Sequence, residues 1–89
     1  MYKIKPYSYD QAKKLDVIIK PSTLSNYKID IYNHDSDYIT SVGDKRYSDF
    51  PTYAETHGIG YANKRRELYH IRHKGDSGER GFYALNILW

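Results

Sequence analysis

The chain has 89 residues, no cysteine, 14 Lys and Arg against 11 Asp and Glu, and a formal net charge of +3. That length predicts one small domain, and the missing cysteines exclude disulfides, thiolate metal sites and thiol nucleophiles, as suits a reducing compartment. No run approaches the roughly 20 apolar residues of a membrane span, and the opening Met1–Lys5 lacks the apolar stretch of a secretory signal; the expectation is a soluble intracellular protein with no membrane partner.

The first predicted element is a short helix after Ser8. Ser8 stands as N-cap with Gln11 three residues on, the spacing of a capping box, and lysines 13 and 14 close the last turn. Val17 to Lys20 reads as extended, and Pro21 pushes Lys20 out of the helical region. Residues 1–26 are thus a helix followed by a loop.

Tyr27 to Tyr32 alternates with period 2. Tyr27, Ile29 and Ile31 are expected to face the core, and Lys28 and Asp30 to face water. Residues 33–37 carry turn chemistry, and Tyr38 to Val42 is the return strand, stopped at Gly43. A lone hairpin (27–42) is barely stable, so helices must cover one face. Those come from residues 51–89. Pro51 opens a short helix ended by Gly58, Gly60 to Lys74 forms the longest helix, residues 77–81 turn, and Phe82 to Trp89 forms a short apolar helix. The fold class expected is α+β, a β-hairpin covered by three or four short helices in one domain.

The long helix carries the informative charges. In projection, Arg65 and Arg72, one heptad apart, fall between two apolar patches, Tyr61/Leu68/Ile71 and Ala62/Tyr69. An arginine in an apolar arc must find an anion or stack on rings, because burying it unpaired costs several kcal/mol. The candidates are internal carboxylates (Asp44, Asp49 or the carboxylate of Trp89), a ligand phosphate, or a partner's acid. Lys64, Arg66, His70, His73 and Lys74, with Lys45 and Arg46 upstream, form a basic set able to track a phosphate backbone. They belong equally to an ordinary solvated helix face, and Glu67 dilutes the set.

Catalytic and metal signals are weak. His70 and His73 are spaced i, i+3 without a carboxylate at fixed distance. Asp35 and Asp37 resemble the start of a calcium loop that lacks its glycine and final glutamate. Gly58-Ile59-Gly60 follows no strand, so it is not a phosphate-binding loop. The expectation is a non-enzymatic protein without cofactor or metal.

From Gly43 onward the chain resembles a family of small basic proteins of unassigned function, encoded mainly by large double-stranded DNA viruses and phage-like genomes. The residues that carry the resemblance are Gly43-Asp44, Tyr47-x-Asp49-Phe50, Arg66-x-x-Tyr69-x-x-Arg72-His73, Gly81-Phe82-Tyr83 and Leu88-Trp89. With the preceding hairpin, Tyr27 to Trp89, it covers about two thirds of the chain. The resemblance implies a virus-encoded accessory protein, in host cytoplasm or nucleus and in the virion. A nucleic-acid backbone is the leading partner. The alternative is a minor virion component held by tyrosine-rich contacts to viral structural proteins or to itself.

The final helix is expected to pack on the long one, with the Trp89 ring docked and its carboxylate near Arg65 or Arg72.

Overall fold

The computed structural model describes residues 2–75 and 78–89. Helix α1 spans Pro6–Lys14, strands β1, β2 and β3 span Ile18–Pro21, Tyr27–Tyr32 and Tyr38–Asp44, and helices α2, α3 and α4 span Phe50–His57, Ile59–Arg72 and Glu79–Ile87. The strands form one antiparallel sheet in the order β1-β2-β3. The α+β expectation holds, with the hairpin enlarged to a three-stranded meander because the extended segment before Pro21 pairs with β2.

Helix α1 starts a turn earlier than its capping-box pattern predicts. Pro6 occupies the first turn, where its fixed φ fits and its missing N–H costs nothing, and Lys5 is the cap residue without a side-chain bond. Ser8 is fully buried instead. Its hydroxyl donates to the Ile87 carbonyl at 2.8 Å, and Gln11 Nε2 donates to the Asn86 carbonyl at 2.8 Å. The Phe50 N–H reaches the Leu88 carbonyl at 3.0 Å. Three carbonyls at the end of α4, which no intrahelical donor can serve, are thereby satisfied by two other segments. Helix α1 ends in a Schellman motif, Val17 N–H to the Ala12 carbonyl and Asp16 N–H to that of Lys13, with Asp16 in the left-handed region at φ 60°.

The sheet register sets Ile19, Ile31 and Thr40 side by side, and likewise Pro21, Ile29 and Val42. Ile29, Ile31 and Val42 are fully buried, and with Ile4, Ala12, Ile19, Ile87 and Leu88 they make the core. Each Ile, Leu and Val among them contributes roughly 1.5–3 kcal/mol on leaving water.

The expected solvent face of β2 is corrected. Lys28 and Asp30 are both buried, because each has a partner. Lys28 Nζ donates to Asp49 Oδ2 at 2.9 Å, and Asp30 accepts from the Ser41 hydroxyl at 2.6 Å. Tyr27 is half-buried. Gly43 lies where this side of the sheet meets Leu88. Its φ is +84°, and a Cβ there would stand 2.6 Å from Leu88 Cδ1, so no side chain fits without displacement.

Asp49 caps α2, its Oδ1 accepting the Thr52 N–H at 2.9 Å, and Pro51 sits in the first turn as expected. Gly58, at φ 89°, separates α2 from α3, and these two helices pack on each other. Helix α3 ends at Arg72, before the predicted Lys74. Helix α4 starts at Glu79, three residues before the predicted start, following Gly78 at φ 97°. Of the predicted turn 77–81, Ser77 lies outside the described residues, and residues 79–81 are helical.

The packing expected of the last helix is also corrected. Helix α4 lies on β3 and α1 rather than along α3, because Ile87 and Leu88 enter the sheet core. The Trp89 ring reaches α3, where it stacks on Tyr69. The face that α3 buries is centred on Ala62, with Arg65, Arg66, Tyr69 and His73 half-buried beside it. Leu68 and Ile71, which the projection set in one of the two apolar patches of the long helix, are 45% and 65% exposed.

Candidate functional site

Between α3, α4, the β2–β3 pair and the loop after β3 lies an open groove of about 720 Å³. Its floor is Lys28, Gly43 and Leu88. Helix α3 supplies Arg65, Tyr69 and Arg72, spaced i, i+4, i+7 and hence on one face, and its C-cap residue His73 joins them. Helix α4 supplies Arg80, Gly81 and Ala84 by the same geometry.

The cations of this groove fall into two kinds. Lys28 belongs to the interior. Its ammonium is bound to Asp49 Oδ2 and lies 5.3 Å from the centre of the Tyr2 ring, whose hydroxyl donates to the same oxygen at 2.8 Å. Burial pushes the Asp49 carboxyl up, but the Lys28 charge and the hydrogen bonds from Lys28 and Thr52 outweigh it and hold the carboxyl below its ordinary range. Burial, reinforced by the Asp49 charge, pushes the Tyr2 hydroxyl far above the tyrosine range, so it stays a neutral donor.

The arginines are placed differently. The Arg65 guanidinium lies over the Tyr53 ring, 5.5 Å from its centre. Arg80 Nε donates to the Ser41 carbonyl at 3.1 Å, and its guanidinium lies 4.9 Å from the centre of the Tyr27 ring. Arg72 is exposed and has no hydrogen-bond, ion-pair or ring partner among the described residues. None of the three forms an ion pair with a described residue, the terminal carboxylate of Trp89 included. The expected pairing of Arg65 or Arg72 with that carboxylate is therefore not made.

The only acidic side chain among the described lining residues is Asp44. It is already engaged by Arg46, whose Nη2 lies 2.7 Å from Oδ2 and whose backbone N–H also binds it. The Arg46 side chain pulls the Asp44 carboxyl down to about 2.

Aromatic rings complete the wall. Tyr69 stacks on Trp89 at 4.3 Å and 6° and on His73 at 4.1 Å and 27°, a column of three rings. Tyr47, 66% exposed, stands on the loop after β3 with the Arg46 guanidinium 5.5 Å from its ring centre.

The sequence-predicted residues thus separate. Arg65, Arg72 and His73 meet in the groove, whereas Lys45 and Arg46, exposed between the lining residues Asp44 and Tyr47, do not line it. Arg66 leaves the set, because its guanidinium packs 4.7 Å from the centre of the Phe50 ring rather than facing solvent. Lys64 and His70 on α3, and Lys74 just beyond its end, are exposed outside the groove lining. The groove adds Lys28, Arg80, Tyr69 and Tyr47, which the sequence reading did not place in a site. Arg80 was hidden by Gly78 and Gly81, which read as a turn.

Against protein-family models, curated proteins and solved structures, the chain gives no match. The groove is therefore read from its own chemistry. Among the described residues, no three of His, Asp and Glu converge as a metal would require, and no helix is long and apolar enough to cross a membrane.

Proposed function

We propose that this chain is a non-enzymatic nucleic-acid-binding protein that holds a phosphate backbone in the arginine-lined groove. One observation carries the reading: Arg65, Arg72 and Arg80 converge on a single hollow whose only described acidic side chain is already bound by Arg46. Guanidinium groups present planar donor forks that match phosphate oxygens. The resemblance of Tyr27–Trp89 to small viral basic proteins supports a virus-encoded accessory role, in the cytoplasm or nucleus of the infected cell.

The test is binding of a fluorescent oligonucleotide at two salt concentrations. Three neutralised phosphates give a slope of log K on log salt of roughly −2 to −3. The double variant Arg65→Glu/Arg72→Glu should abolish binding, whereas Lys64→Glu/Lys74→Glu, on the exposed face, should weaken it only modestly. If the wild-type protein fails to bind at ~50 mM salt, where the electrostatic contribution is strong, the reading is wrong.

A second reading, a virion component held by protein contacts, is favoured by the exposed Leu68 and Ile71 on α3. It predicts a salt-insensitive oligomer that Leu68→Lys/Ile71→Lys dissociates. Gel filtration of both proteins separates the two readings.

A further inference from the structure

We infer that the strand held in this groove is unpaired, with bases laid on the aromatic wall while the arginines take the phosphates. The inference rests on the nucleic-acid reading of the groove and narrows it to single-stranded DNA or RNA, or to an unpaired segment of a duplex.

The arginines alone would suit any polyanion; the rings discriminate. In a duplex each base is stacked on its neighbours and offers no π-face to a protein side chain. Beside Arg65 and Arg72 the groove places the His73–Tyr69–Trp89 column, in which Tyr69 is covered by its two neighbours so that a base adds at an end ring, and on the loop after β3 it places the exposed ring of Tyr47. Cations that follow a backbone, set beside rings on which bases stack, are the two components of single-strand binding sites, and stacking is tolerant of base identity because every base has a π-face.

Shape points the same way. The three guanidinium groups line a hollow rather than a ridge, and a duplex is a convex rod whose phosphates meet protruding cations first. A space of about 720 Å³ falls within the range of pockets that enclose small organic molecules, and so admits unpaired nucleotides one at a time. The fold holds the wall still. Trp89 follows Leu88, whose side chain is locked in the core and whose carbonyl is held by the Phe50 N–H at 3.0 Å. Tyr69 belongs to a regular helix. Stacking on preset rings sacrifices little further rotamer freedom.

Trp89 is the only tryptophan of the chain, so its fluorescence reports the wall directly. Four probes are compared at one salt concentration: a mixed-sequence single strand of ~20 nucleotides, the duplex of the same sequence, inorganic polyphosphate and polyglutamate. The expected result is that the single strand quenches Trp89 and binds at least about tenfold tighter than the duplex, the effect of roughly one base stack. Tyr47→Ala, a change on an exposed loop residue, should weaken single-strand binding about fivefold or more and polyphosphate binding by clearly less.

If duplex and polyphosphate bind as tightly as the single strand without quenching, the groove binds phosphate but the stacking inference is overturned. If polyglutamate matches the single strand, the partner is an acidic protein, and the nucleic-acid reading falls as well. If none of the four binds, both fall.

Discussion

Lys28 and Arg72 stand on the same groove, yet the fold treats their charges in opposite ways. Around Lys28 it assembles a full set of partners: Asp49 at 2.9 Å, the Tyr2 ring, and a carboxylate further held by the Tyr2 hydroxyl and the Thr52 N–H. Around Arg72 it assembles none among the described residues. A cation needed for folding is supplied with its anion from within the chain. Among the described residues Arg65 and Arg80 lie beside rings and one carbonyl, Arg72 beside neither, and none of the three is ion-paired to a carboxylate, which suits the outside anion we propose.

The sharpest way to break this comparison is to remove the internal anion. Asp49→Ala leaves the Lys28 ammonium buried and unpaired, strips α2 of its cap and frees the Tyr2 hydroxyl. Breaking a buried pair costs about 3–5 kcal/mol and losing a cap about 1 kcal/mol more. Those losses approach the whole stability of a small domain. The variant should be largely unfolded by circular dichroism at room temperature; a melting temperature within a few degrees of wild type would show that the pair is not structural.

Acid should reveal the same pair more gently. The Asp49 carboxyl is held below its ordinary value in the folded chain, so its contribution is fully present above the unfolded value near pH 4. It is lost as the pH falls through the lowered folded value. In Lys28→Met the carboxylate keeps its burial and loses its cation, which drives it above the unfolded value and reverses the sign. Between about pH 6 and pH 3, urea denaturation should show wild type losing stability on acidification and the variant losing less or gaining. Parallel profiles would mean that Lys28 does not set the Asp49 ionisation.

Smaller again is Ser8→Ala, which unsatisfies the buried Ile87 carbonyl at a cost of about 1–3 kcal/mol. This residue also shows where the sequence could be read and where it could not. Ser8 and Gln11 match a capping box, but Pro6 takes the helix start, and the two side chains serve carbonyls 79 and 75 residues away. The strand alternation, the opening at Pro51 and the break at Gly58 were legible because each depends on its own neighbours. Lys28 was not, because period 2 assigns it to water and the reason for its burial, Asp49, lies 21 residues on. Within the site, Arg65 and Arg72 were legible because their heptad spacing placed two cations on one side of a helix. Arg80 joins them only through the packing of α4 on the sheet.

The smallest expected effect on stability, and the one that decides most, is that of Arg72→Ala. A surface substitution away from caps, cores and paired charges shifts stability by less than about 0.5 kcal/mol, and Arg72 is exposed with no described partner. Its melting temperature should therefore stay within a few degrees of wild type, in contrast to Asp49→Ala. Binding should move instead. Losing one phosphate contact weakens affinity for all sequences alike and lowers the salt slope by about 1. The two measurements on one variant pull the explanations apart. A fall in both stability and binding would make Arg72 a structural residue whose partner forms in solution, and the contrast with Lys28 would dissolve. An unchanged melting temperature with an unchanged salt slope would leave Arg72 a bystander and shift the phosphate site toward Arg65 and Arg80. Unchanged stability with a reduced slope is the outcome the groove predicts, because only there does an arginine without an anion among the described residues contribute its charge to something outside the chain.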